Sequence, residues 1–147
     1  MKLQELINWY TSLTPETIPL IEGIYHEQAS FRDPFNDARG VDQIAAIFEH
    51  MFAVTQQPVF RITAWQAQGD VAWVSWIFDF RLGGKSISIE GATRLQFGSD
   101  GRVLVHRDYW DALDLLVEFP LIGSLLRLIR KRLNVAGKPV VHEDKKP

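Results

Sequence analysis

The sequence has no cysteine, which excludes disulfides and thiol chemistry and leaves any metal site to histidine and carboxylates. No apolar run approaches the roughly 18 residues that a membrane-spanning helix needs. The opening MKLQELINWY is interrupted by Lys2 and Glu5, so no signal peptide is expected and the cytoplasm is the expected compartment. Neither sign of charge dominates: 16 basic and 18 acidic residues leave a net charge of -2, which offers nucleic acid no electrostatic footing. A glycine-rich phosphate loop, a nucleophile elbow and a basic-aromatic ladder are also missing, so neither a nucleotide nor any other cofactor is expected.

What is present is enough for one core. A chain of 147 residues buries about two-thirds of its unfolded surface in a single domain. Leu3, Leu6, Ile7 and Tyr10 recur at helical spacing and predict a first helix ending near Leu13. Thr14-Pro15-Glu16 reads as a cap with proline at the first helical position, and Ile18, Leu20, Ile21, Ile24 and Tyr25 supply the apolar side of a second helix. Ala29 to Pro34 reads as a short strand closed by proline, residues 36–40 as a loop, and Ile44, Ile47, Phe48, Met51 and Phe52 as the buried stripe of a third helix.

From Pro58 the period changes from 3.6 to 2. Four extended runs are expected, Val59 to Gln68, Val71 to Leu82, Lys85 to Phe97 and Arg102 to Trp110, joined by hairpin-grade turns at residues 68–70, 82–84 and 98–101. Helices followed by a meander predict an α+β domain in which a curved antiparallel sheet wraps around the helices. Val71 to Leu82 is apolar on both faces, and helices can cover only one. A second subunit is therefore expected on the other, which predicts a homodimer through the outer sheet face.

The polar chemistry gathers in GRVLVHRDYWD, residues 101–111. Alternation puts His106 and Asp108 on one face of its strand and Val105, Arg107 and Tyr109 on the other. Beyond it, LDLLVEFPLIGSLLRLIRKRL reads as a short helix, a break at Phe119-Pro120, and a helix from Leu121 or Ile122 to Leu133 with cations near its end. Packing on the body or on a partner subunit is one expectation for it, and peripheral membrane contact is the other. The divisions expected are a domain over 1–115, a helical extension over 116–136 and a disordered tail over 137–147.

The order of elements, with FRDPF, Arg39-Gly40 and HRDYWD, resembles the NTF2-like superfamily in its SnoaL-like branch of cone-shaped α+β barrels, over roughly Leu3 to Asp114. The branch includes ketosteroid isomerase, limonene epoxide hydrolase, polyketide cyclases and non-enzymatic modules, so the resemblance implies a fold and leaves catalysis open. Against ketosteroid isomerase, Tyr10 matches the oxyanion-hole tyrosine and Asp33 the general base, while Thr93 stands where that enzyme holds a protonated aspartic acid. Against limonene epoxide hydrolase, Asp108 matches the water-activating aspartate and His106 the tryptophan beside it. Trp76 and Phe78 replace that enzyme's arginine and proton-donating aspartate, and Asp33 falls on a polar pocket asparagine. The polyketide cyclases place an acid/base aspartate near Asp108.

The resemblance and the alternation together imply a pocket for a small hydrophobic molecule. Its catalytic candidates are Asp108, Asp33, Tyr10 and His106. Its lining candidates are Phe31, Phe48, Phe52, Trp76, Phe78, Phe80, Thr93 and Leu95. The implied chemistry is that of an isomerase, cyclase or epoxide-hydrolase-like enzyme with an aspartate base, or else a non-catalytic ligand-binding or dimeric scaffold module.

Overall fold

A computed structural model describes residues 1–133, in two compact units, Met1–Ala112 and the segment from Leu113 onward. In the first unit, α1 (Leu3–Thr11) buries Leu3, Leu6, Ile7 and Trp9, the face that its helical spacing dictates. The second helix is reduced to a 3₁₀ segment, Pro15–Leu20, and one turn of α2 (Ile21–Ile24). Pro19 lies inside the 3₁₀ segment and lacks the N–H that a longer α-helix would need there. Tyr25, expected on that helix, instead begins strand β1 (Tyr25–Arg32).

The residues expected as a loop contain strand β2 (Asp37–Arg39), which pairs antiparallel with β1. Helix α3 (Val41–Val54) follows and buries Ile44 and Phe48. Strands β3 (Gln56–Gln68), β4 (Val71–Leu82), β5 (Lys85–Phe97) and β6 (Val103–Trp110) form the meander. The six strands run in the order β2-β1-β6-β5-β4-β3. The sheet is mixed where an antiparallel one was expected, because β1 lies parallel to β6. A strand that arrives from the helical layer can run alongside the last strand of the meander without needing a hairpin.

Residues opposite one another in a ladder share a face. On the concave face Ile62, Trp76, Gly91 and Trp110 form one row; Val74, Thr93 and Asp108 form the next; Leu95, His106 and Phe31 form the third. Against these rows pack Leu6, Ile7, Trp9, Ile18, Ile21, Ile44 and Phe48. The convex face carries Trp73 and Tyr109, whose rings lie 5.7 Å apart.

The second unit contains α4 from its second residue (Ala112–Leu116) and α5 (Pro120–Leu133). The two helices are joined tightly: Arg127 Nη1 donates to the Val117 carbonyl at 2.9 Å, and Arg130 lies 3.6 Å from Asp114. Gly123 permits this approach, since a Cβ there would sit 2.2 Å from the Val117 oxygen. Among the described residues no helix is long and apolar enough to cross a membrane. The expected extension runs past them at 134–136, and the expected tail, 137–147, lies outside them.

Candidate functional site

The alternation of β6 directs His106 and Asp108 to the concave face, where His106 Nε2 lies 2.8 Å from Asp108 Oδ1. Thr93, directly opposite Asp108 on β5, donates its hydroxyl to the same oxygen. Trp76 Nε1 donates to Thr93 Oγ1 at 2.8 Å. On the other side, Tyr25 Oη is 2.7 Å from His106 Nδ1, and Tyr10 Oη is 3.0 Å from Tyr25 Oη and 3.4 Å from His106 Nδ1.

The indole fixes the direction of this chain. Trp76 can only donate, so Thr93 must pass its own proton to Asp108. An ionised Asp108 accepts from His106 Nε2–H, which leaves Nδ1 to accept from Tyr25 and Tyr25 to accept from Tyr10. Donors from both sides therefore converge on Asp108 Oδ1. Oδ2 has no hydrogen-bond partner among the described residues.

The surroundings are dry. His106 is buried, with the ring of Phe31 centred 4.5 Å away and that of Tyr25, bonded to its Nδ1, 5.9 Å away. Burial, followed by the neighbouring Tyr25 and the charge of Asp108, holds the Tyr10 phenol well above its ordinary value near 10. Burial also raises Tyr25, and the Asp108 charge adds to the rise. Both phenols are therefore protonated donors at neutral pH.

Asp108 borders a cavity of about 30 Å³ whose other walls include Tyr10, Phe48, Phe60, Trp76, Thr93 and Leu95. A space of this size admits one water. A wider groove of about 350 Å³ runs between the end of α1, the end of α3 and the start of β3, with Met51, Phe52, Pro58 and Val59 among its walls. Tyr10 and Phe60, edge to face at 5.5 Å, line both spaces.

Of the residues singled out in the sequence, Tyr10, Phe48, Trp76, Thr93, Leu95 and Asp108 meet around the inner cavity, with His106 bonded behind Asp108. Phe52 lines the groove, and Phe31 supports His106 without lining either space. Phe78 stacks between Phe60 at 4.3 Å and Phe80 at 4.7 Å. Phe80 lines a separate shallow depression with Asp79, Arg81 and Ile87.

Asp33 lies elsewhere. It follows the end of β1, and its Oδ1 accepts from the backbone N–H groups of Phe35 and Asn36 at 2.7 and 2.6 Å, while Asn36 Nδ2 donates to Oδ2 at 2.9 Å. It closes the turn into β2 and lines neither the inner cavity nor the groove. Tyr25 and Phe60 are among the site residues that were not anticipated, as are Leu6, Ile7, Ile62 and Val74 on the cavity wall. Tyr25 fits the helical spacing before it, which hides it in a predicted helix, and Phe60 shows its place only once β3 is registered against Phe78. Among the described residues no group of three or more His, Asp or Glu side chains is placed to hold a metal ion.

The fold has many solved counterparts. A putative SnoaL-like polyketide cyclase from Jannaschia sp. CCS1 superposes with a TM-score of 0.70 at 12% identity, over 79% of this chain and 89% of that one. The LEH-like epoxide hydrolase of M. tuberculosis gives 0.64 at 18% identity, over 88% and 92%. A hypothetical protein with a ketosteroid isomerase-like fold from Catenulispora acidiphila, in complex with trimethylamine, gives 0.65 at 16% identity, over 75% and 85%. No curated protein matches the sequence. The family model for the SnoaL-like domain matches residues 6–106, from within α1 to the middle of β6, which takes in Tyr10, Tyr25 and His106 and stops short of Asp108, and the chain belongs to that family.

Proposed function

We propose that this domain binds a small hydrophobic molecule in the groove and inner cavity, and that Asp108 is its general base. The observation that carries this reading is the saturation of Asp108 Oδ1 by Thr93 and His106 while the same carboxylate borders an apolar cavity. A base held by one oxygen is aimed by it, and the other oxygen is left for the substrate. The reaction class that fits is proton abstraction beside a carbonyl. The C–H proton passes to Oδ2, the electron pair moves to the carbonyl oxygen, and Tyr10, kept protonated by burial, turns its hydroxyl proton from Tyr25 to the developing oxyanion. The ligand reaches Asp108 by displacing the ring contact of Tyr10 with Phe60. Epoxide opening has weaker support, because Phe78 occupies the position of the acid in the resemblance to limonene epoxide hydrolase.

A bicyclic apolar ketone, 2-decalone, tests the assignment. Its α-hydrogens should exchange in D₂O in the presence of the protein, as read by NMR, and Asp108→Asn should bind it without exchange. Binding without exchange in the wild type would leave a non-catalytic ligand-binding module, which the apolar Trp76 and Phe78 favour. Absence of both would sink the pocket assignment.

The convex face is the place for a second copy of the chain. Trp73 and Tyr109 remain 37% and 44% exposed, with Arg107 over the Tyr109 ring at 5.0 Å, and such an aromatic patch is typical of subunit contacts.

A further inference from the structure

We infer that α5 is a membrane-surface helix that takes an anionic lipid bilayer as its partner. Ile122, Leu125, Leu126, Ile129 and Leu133 recur at three- and four-residue intervals, so they form one apolar stripe along the helix. Ile122, Leu125, Leu128, Ile129 and Leu133 are between 44% and 75% exposed. Arg127 and Lys131 occupy the opposite side, Arg130 and Arg132 flank the stripe on its two edges, and Leu128 lies outside it.

Charge selects the occupant of this stripe. Four cations and no carboxylate fall within the 14 residues of α5, on a chain whose net charge is -2. A second α5 laid against the first would bring eight cations together, with only the Asp114 beside each Arg130 as counter-charge and none from either α5. A bilayer containing phosphatidylglycerol supplies the counter-charges and an apolar layer for the leucines. Arg132, near the edge of the stripe, can bury its stem and keep its guanidinium among the headgroups. At 14 residues the helix is too short to span, and it lies in the interface.

Co-sedimentation of the full chain with vesicles provides the test. The protein should pellet with 1:1 phosphatidylglycerol/phosphatidylcholine vesicles, should be released by salt, and should stay in solution with phosphatidylcholine alone. Lys131→Gln with Arg132→Gln should weaken partitioning by about thirtyfold, from the effect of two cations at an anionic surface. Leu125→Gln with Ile129→Gln should abolish it, with near-ultraviolet circular dichroism confirming that the tryptophan-rich first unit is unchanged. Failure to pellet with the anionic vesicles, or pelleting that neither pair of substitutions alters, would overturn the assignment. It would also be overturned by self-association of the lipid-free chain that is lost in Leu125→Gln with Ile129→Gln, in the absence of vesicle binding.

Discussion

Gly91 lies directly across the β4–β5 ladder from Trp76, and the indole occupies the space a side chain at 91 would fill. A Cβ there would come within 2.3 to 2.8 Å of three carbons of the six-membered ring. That vacancy lets the Trp76 N–H reach Thr93, and Thr93 in turn holds Asp108. A glycine that touches no ligand thus positions the proposed base.

Gly91→Ala should therefore cost about 1–3 kcal/mol, the usual penalty for overpacking against a rigid ring. Thermal unfolding reads the stability loss, and near-ultraviolet circular dichroism reads displacement of the indole. An unchanged tryptophan spectrum would refute the coupling.

Thr93→Val removes the hydroxyl and keeps the shape. The buried Trp76 N–H is then left unpaired, at a cost of about 1–3 kcal/mol, while Thr93→Ser should restore most of the loss. Denaturant unfolding of the two variants checks the ordering, and equal stabilities would show that the hydroxyl does not matter.

Tyr25 gives the domain an alkaline limit. Its folded pKa is raised, so its contribution is fully present below the unfolded value near 10 and is lost as pH rises toward the folded one. In that window the unfolded chain binds fewer protons, and stability falls with pH by about 1.4 kcal/mol per pH unit for this group. Tyr25→Phe should flatten the curve above pH 10 by about that slope, whatever it does to stability at neutral pH. Denaturant titrations at pH 9, 10 and 11 provide the comparison.

The proposed subunit contact is open to a charge. Trp73→Glu places a carboxylate on the convex face, away from the inner cavity, and should turn a dimer into a monomer in sedimentation velocity while leaving 2-decalone binding intact. A wild-type monomer would remove the basis for the contact.

Much of the sheet could be read from the sequence. Val71–Leu82 and Lys85–Phe97 meet at the turn where expected, because the paired glycines 83 and 84 punctuate the two extended runs, and alternation along β6 puts His106 beside Asp108. What escaped was non-local or competitive. Pairing of β1 with β6 leaves no mark in either segment alone, so Tyr25 could not be placed next to His106. Asp33 has the neighbours of a pocket residue, yet Asn36 folds back to claim it, and that outcome depends on a turn whose geometry the strand pattern does not encode. The small volume of the inner cavity depends on where Phe60 falls after the irregular start of β3.

The parallel pairing of β1 with β6 also sets when the site can exist during folding. Strands β3 to β6 can zip in sequence across short turns, each step closing a small loop. The Tyr25–His106 hydrogen bond joins residues 81 positions apart, so it is reached only after the entropy of that closure has been spent. Partly formed chains can hold the whole meander and still lack a support for His106. The polar chain that aims Asp108 is thus completed only when the first and last strands of the sheet have met.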